Sequence, residues 1–346
     1  MKKLLTMIGA AAMLPFATSA AWSEAYTTTT NGVTWKYKVD AENNRLMLGT
    51  STTSTGWETA IPTATKGKLC VPTSIVHEGV SYNVTIFGYG AFRGCASLTG
   101  IVIPKTTFSQ TGCTTMFRVV TNCRAIWWQG PETVTDGEQP TANITDLTAF
   151  VRQSSGTNPK VVLFGPHVTH SGSVSDMFQG CNGTVAFLPK AHWSAGSYSG
   201  TNCKQIFYGP GEDIDISIDG TFTIATSNRL DEVLSVANYL HDYCDMNPKI
   251  NVTNVIEVAD GIITAGKLAF LDNRTFNSLV FKVNTQAQLD TLLAAIPSSV
   301  PFAINPADAK EELTVPQGRE VYVKLSAEGR NGKYRPKLNG LIISFF

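Results

Sequence analysis

Ile86-Phe-Gly-Tyr-Gly-Ala91-Phe92-Arg93-Gly94-Cys95-Ala-Ser-Leu98-Thr-Gly-Ile101-Val-Ile103-Pro104 is the stretch that decides how this chain folds. It reads as one coil: a Phe-x-Gly-Cys turn, a Leu after it, then a short apolar strand closed by Pro. A coil this short cannot bury its own apolar face, so it needs stacked neighbours of the same kind. The rest of the chain should therefore contain copies of it.

The copies are present in degenerate form. Thr121-Asn-Cys123-Arg-Ala-Ile126-Trp127-Trp128-Gln-Gly-Pro131 matches Thr201-Asn-Cys203-Lys-Gln-Ile206-Phe207-Tyr208-Gly-Pro210, and Leu163-Phe-Gly-Pro166 ends a further strand in the same way. Met116-Phe117-Arg118 and Met177-Phe178-Gln-Gly-Cys181 repeat the Ala91-Phe92 turn, and Asn158-Pro-Lys-Val161 recurs as Asn247-Pro-Lys-Ile250. Strands are expected at Ile101–Ile103, Ile126–Trp128, Val161–Phe164, Val185–Leu188, Gln205–Tyr208, Phe222–Ala225, Val255–Val258, Leu279–Val283 and Phe302–Ile304. Several lie roughly 20–25 residues apart, within the range of short repeats. Ser227 or Asn228 can cap a helix bearing Leu230, Val233, Leu234, Ala237 and Leu240, with Asp231 and Glu232 favoured in its first turn. Thr285 can cap a second, with Leu289, Leu292, Leu293 and Ile296 on one face and Pro297 at its end. A third is expected over 145–154, with Leu147, Phe150 and Val151 inward.

Short strands alternating with turns or helices predict a β-rich α/β solenoid. A parallel sheet would run along one face, with helices and loops on the opposite face. The expected divisions are a leader at 1–20, an N-terminal β cap at 21–85, repeats at 86–211, degenerate β/α repeats at 212–307 and a β closing element at 308–346. In the cap, Val33–Val39 and Tyr82–Phe87 read as strands. In the closing element, strands at Glu320–Leu325 and Leu341–Phe346 flank a Gly-rich, basic turn at Gly329–Lys337.

Ala91-Phe92-Arg-Gly-Cys95-Ala-Ser-Leu98 and Ile101-Val-Ile103-Pro104 resemble the BspA-type leucine-rich repeat of bacterial surface and secreted proteins. That repeat has an Ala-Phe-x-x-Cys turn, a Leu and an Ile-x-Ile-Pro strand. The coils around 113–131 and 177–189 match in part, and beyond Gly211 the match fades. The resemblance implies a leucine-rich-repeat fold and an adhesion-type surface protein, without naming a ligand.

The ends and composition point the same way. Lys2 and Lys3 precede the uncharged apolar run Leu4–Phe16, and Thr18-Ser-Ala20 offers small residues for cleavage near Ala20/Ala21. This is the pattern of a secretory signal peptide. No later run reaches the roughly 20 apolar residues a span requires, so the mature chain is expected to be secreted or at the cell surface. Charged residues make up 16%, with 27 Lys+Arg against 27 Asp+Glu. That balance argues against nucleic acid as a partner and against bulk-charge binding to an acidic membrane.

Catalytic and metal chemistry are not signalled. The seven cysteines, Cys70, Cys95, Cys113, Cys123, Cys181, Cys203 and Cys244, include no Cys-x-x-Cys zinc pair. Export permits disulfides, but Cys95, Cys123, Cys181 and Cys203 fall at equivalent turn positions and read first as small buried hydrophobes. Asp213-Ile-Asp215-Ile-Ser217-Ile-Asp219-Gly220 lacks the Gly and Glu of an EF-hand loop. It reads instead as a strand with Ile inward and Asp outward. His167, His170 and His192 read as loop histidines, and Gly196–Gly200 centres on Tyr198 rather than the Ser of a nucleophile elbow. No cofactor, metal or catalytic residue is expected.

The candidate binding residues are aromatic: Trp127, Trp128, Phe207 and Tyr208. Neighbours on a strand face opposite sides, so one of each pair should point outward and form a line on the sheet face, unless both pack. The expected function is non-catalytic binding of a protein or glycan on a host or neighbouring cell surface, through the sheet face. A self-assembling envelope component is the alternative, and a hydrolase a distant one.

Overall fold

The computed structural model describes residues 22–53, 56–105, 111–113, 115–132, 141–153, 158–194, 203–253, 256–258, 262–271, 279–306, 309, 311–324 and 331–334. The expected leader, the Gly196–Gly200 stretch and the expected terminal strand at Leu341–Phe346 lie outside them. The chain is β-rich, with parallel sheets and few helices.

Its centre is a six-stranded sheet whose strands are all parallel and in sequence order: Gly67–Cys70, Leu98–Ile103, Ala125–Trp128, Val161–Phe164, Val185–Pro189 and Lys204–Tyr208. The register runs Leu69, Ile101, Ile126, Val162, Ala186, Gln205, with steps of 32, 25, 36, 24 and 19 residues. The strand Gly67–Cys70 joins this sheet from within the stretch expected to be cap. Between rungs the chain visits a second parallel sheet, made of Thr111–Gly112, Ala142–Asp146 and Val168–His170.

A third side consists of tight turns bonded backbone to backbone. Phe92 N–H donates to the Met116 carbonyl (3.1 Å), Phe117 N–H to Phe150 (2.8 Å) and Val151 N–H to Met177 (2.9 Å). The turns share a conformation: Gly90, Thr115, Ala149 and Asp176 are left-handed, as are Gly94, Val119 and Gly180 four residues on in three of them. The helix expected over 145–154 does not form. Ala149 has φ 53°, and the N–H groups of Leu147, Ala149, Val151 and Gln153 go to Ser173, Ser175, Met177 and Gln179 instead. A helix would need those donors for itself.

These three sides enclose a core in which aromatic rings stack from turn to turn. Phe92 and Phe117 lie parallel at 5.4 Å, and Phe117 meets Phe150 edge-on at 5.1 Å. Cys95, Cys123 and Cys181 are buried beside them, as small residues that let the rings approach. Trp193 closes the last turn, its indole N–H donating to the Val168 carbonyl (2.8 Å). Ahead of this stack is a five-stranded, mostly antiparallel sheet of Tyr26–Thr30, Val33–Asp40, Arg45–Leu48, Ser74–His77 and Val80–Phe87. Trp35, Tyr37 and Leu46 of that sheet join the same core.

Residues 212–334 build outward from the central sheet. Thr221–Ile224, the helix Leu230–Cys244 and Lys249–Val252 form a parallel β-α-β unit. Ile256–Glu257, Val280–Lys282, Phe302–Asn305 and Val321–Lys324 form a second parallel sheet. The helix Gln286–Ala295 starts at Thr285 with a full capping box: the Thr285 side chain accepts from Gln288 N–H, and the Gln288 side chain returns the bond. Within the expected Gly329–Lys337 turn, Asn331–Tyr334 is instead a strand, antiparallel to Val321–Lys324. Paired N–H and C=O groups on that neighbour favour an extended backbone over a loop.

Candidate functional site

The central sheet has two apolar faces, and both are covered. Ile101, Ile103, Ile126, Trp128, Val162, Phe164, Ala186 and Leu188 face the enclosed core. The alternate residues Ala125, Trp127, Val161, Leu163, Phe187, Ile206 and Tyr208 face a second core, shared with the helix Leu230–Cys244 and the strands beyond it. Continuous apolar runs such as Val161-Val-Leu-Phe164 are what a doubly buried parallel strand requires.

The expected line of outward aromatics is therefore not on the surface. Trp128 is fully buried in the inner core, and Trp127, 8% exposed, lies under the helix. Tyr208 is fully buried in the outer core, and its hydroxyl donates to the Phe164 carbonyl (2.6 Å). Burial pushes its pKa well up. Phe207 is half-buried against the inner core. Period-two alternation correctly sends the members of each pair to opposite faces, but the outer face is filled by the chain's own C-terminal part. Gly100 marks the close approach: a Cβ there would lie 1.7 Å from the Tyr243 carbonyl oxygen. Lys68 pairs with Asp245 just past the helix end, and Cys244 Sγ lies 3.8 Å from the Ile101 carbonyl.

The other sequence candidates fall on ordinary structural positions. Ile214 and Ile216 are buried and Asp215 between them is exposed. Asp219 accepts from Thr221 N–H (3.2 Å) and lies 4.0 Å from Lys249. Its own burial, which raises the pKa, is outweighed by hydrogen bonds from Ser217 and Thr221 that lower it. Burial lowers the pKa of His167, His170 and His192, and the nearby His192 charge adds to the effect on His167. Among the described residues no group of three or more His, Cys, Asp or Glu is placed to hold a metal ion. No disulfide joins any of the seven cysteines. Cys95, Cys113, Cys123, Cys181 and Cys244 are buried, Cys203 is half-buried and Cys70 is exposed. Burial raises the Cys95 pKa to about 11 and those of Cys123, Cys181 and Cys203 to about 12.

Two surface features remain. A cavity of about 250 Å³ opens where the N-terminal sheet meets the second parallel sheet, lined by Trp22, Arg45, Met47, Ser51, Phe87 and Tyr89. The Arg45 guanidinium lies 5.7 Å from the Trp22 ring, but it is already neutralised by the buried Asp40 at 2.6 Å. The second feature is the turn side. Gly94 N–H donates to the Arg118 carbonyl (2.9 Å), Val119 N–H to Arg152 (3.2 Å) and Gln153 N–H to Gln179 (2.9 Å). Arg93, Arg118, Arg152 and Gln179 thus stand in one column, each half-exposed. Phe92-Arg93 and Phe117-Arg118 are visible as a pair in the sequence. Arg152 is not, because its turn carries Phe150 one place earlier in the backbone register, at the position of Met116 and Met177.

No family model matches the chain, and no curated protein does. Among solved structures, the chain is similar to a leucine rich cell surface protein from Faecalibacterium prausnitzii A2-165. The likeness covers 88% of this chain and 77% of that one, at 11% identity and a TM-score of 0.21.

Proposed function

We propose that this chain is a secreted or cell-surface protein of the leucine-rich-repeat-like solenoid kind. In this reading it binds a protein or glycan partner without catalysis, and it does so through its turn side rather than its sheet face. The observation that carries the reading is the ladder of turns. The same backbone positions recur from Phe92 to Gln179, bonded turn to turn, and each turn presents a half-exposed side chain at the same place. Repetition of this sort makes an extended recognition surface. Burial of the outer residues of the sheet face favours the turn side over it. No helix among the described residues is long and apolar enough to cross a membrane.

The test is a broad array of glycans and matrix proteins probed with the full mature chain. Binding should be weakened by substitutions on the turn column and untouched by substitutions at exposed positions of the helix Leu230–Cys244. Array signals that respond only to the helix variants would sink the reading.

A second reading, self-assembly, is favoured by one feature. Val76 and Val80 are 64% and 49% exposed at the tip of the hairpin whose first strand, Ser74–His77, is the edge of the N-terminal sheet. Exposed apolar residues on an open edge are a template for pairing with another copy. A solution mass above monomer at low micromolar concentration, reduced by Val76→Lys, would support it.

A further inference from the structure

From the column Arg93, Arg118 and Arg152, we propose that the turn side binds a linear acidic polysaccharide, its carboxylate or sulfate groups bridging guanidiniums on successive turns. The proposal rests on the surface-binding reading above and names the ligand class for that surface. Three observations carry it.

The first is uncompensated charge. The chain has equal numbers of basic and acidic residues, and many of its other described cations are paired, including Lys36–Glu58, Arg45–Asp40, Lys105–Glu132, Lys190–Glu212, Lys204–Glu232 and Lys267–Asp231. None of the three column arginines makes an ion pair among the described residues. Burial, and behind it the charge of Arg118, holds the Arg93 pKa below its usual value. Like charges held this way destabilise the free surface, and an anion between them removes the penalty. Guanidinium is the side chain suited to bidentate capture of such oxyanions.

The second is spacing. The backbone bonds through Gly94, Val119 and Gln153 hold neighbouring turns one hydrogen-bonded step apart, about 4.8 Å in such ladders. At that spacing one carboxylate or sulfate group seated between two turns can accept from the guanidiniums of both.

The third is an aromatic at the head of the column. Trp57 is 43% exposed, and the Arg93 guanidinium lies 3.9 Å from its ring centroid. An exposed indole beside a cation suits the apolar face of a sugar together with its acidic group.

The test uses the full mature chain and four probes at two salt concentrations: heparin, polygalacturonate, neutral dextran and poly-glutamate. Heparin or polygalacturonate should bind, dextran should not, and poly-glutamate should bind at least tenfold more weakly. Binding of polygalacturonate shows that carboxylate suffices, and binding of heparin alone shows that sulfate is needed. R93Q/R118Q/R152Q should lose at least tenfold in affinity and most of the salt dependence, since each arginine–anion contact made on binding releases a counterion. W57A should lose severalfold. The charge-matched control K105Q/K190Q/K249Q should keep most of the affinity, with an unchanged far-UV spectrum and melting temperature in both triple variants. Equal loss in the two triple variants would make the effect bulk charge and overturn the proposal. Tighter binding of poly-glutamate would overturn it in favour of an acidic peptide. No binding to either acidic polysaccharide, with other array partners still bound through the turn side, would overturn this inference and leave the broader reading standing.

Discussion

Gly100 is where the end of the helix Leu230–Cys244 comes closely against the central sheet. It lies on the outer face of its strand, where a methyl group would meet the Tyr243 carbonyl at 1.7 Å. That obstacle is backbone at the end of a helix and cannot rotate away. Gly100→Ala is expected to cost about 2–4 kcal/mol, the upper range for forced overpacking. Gly183→Ala has open space around it and only its φ of 79° to pay for, about 1–2 kcal/mol. Urea midpoints of the two variants check the order, which would be wrong if Gly183→Ala proved the more damaging. Thiol chemistry is a second residue-scale expectation. Cys70 is exposed, although partial burial and the nearby Asp245 charge raise its pKa, whereas Cys95, Cys123 and Cys181 are enclosed and burial raises theirs to about 11 to 12. A disulfide reagent at pH 7.5 should modify Cys70 first, by access, at a rate that climbs with pH, and Cys70→Ser should remove that phase. The three buried thiols should react only on unfolding. The reading of Cys95, Cys123 and Cys181 as small core residues was available from their place in the repeat. The burial of Trp127 was not, because alternation assigns a face and says nothing of what covers it from a hundred residues away.

At the scale of elements, the two longer helices were readable and the third was an error with a clear cause. Leu230–Cys244 carries an unbroken apolar stripe, and Gln286–Ala295 has its cap written into Thr285 and Gln288. Thr285→Ala should cost about 1 kcal/mol, seen as a lowered melting temperature, with Thr285→Ser nearly neutral. A loss no larger than that of an exposed Thr→Ala elsewhere, for example at Thr63, would show that the cap contributes nothing. Over 145–153, Leu147, Phe150 and Val151 have helical spacing, but a stacked turn needs the same inward residues. Local periodicity cannot separate the two. What decides is the neighbouring turn, whose carbonyls at Ser173, Ser175, Met177 and Gln179 accept the bonds. The short strands Thr111–Gly112, Ala142–Asp146 and Val168–His170 escaped for a similar reason. They are ordered by pairing with each other, and none has a strand signature long enough to stand alone.

For the whole molecule, the central sheet makes one structure of two cores, and stability at alkaline pH should report on both. The thiols of Cys95, Cys123, Cys181 and Cys203 have folded pKa values of about 11 to 12 against an ordinary 9.0. Above pH 9 the unfolded chain gives up protons that the folded chain keeps, so the native state holds more protons and stability must fall as pH rises. The contribution is full below pH 9 and lost as pH climbs toward 11 and 12. Urea midpoints taken at pH 7.5, 9 and 10 should decline, and the decline should flatten in Cys95→Ala/Cys123→Ala. An unchanged slope in that variant would assign the decline to other groups.

Leu230–Cys244 also acts as a measuring rod. Its 15 residues extend about 22 Å at 1.5 Å per residue, and parallel strands stand about 4.8 Å apart. The rod therefore spans four to five strands, and it lies against Gly67–Cys70, Leu98–Ile103, Ala125–Trp128 and Val161–Phe164. A stack of this sort grows by duplicating a coil, but here each added strand would leave an oily outer stripe with no cover. Val185–Pro189 and Lys204–Tyr208, past the rod's end, are covered instead by Ile214, Ile216 and Phe222, so duplication within the sheet is penalised unless this cover grows in the same event. The number of coils in this chain is set by its lid as much as by its repeats.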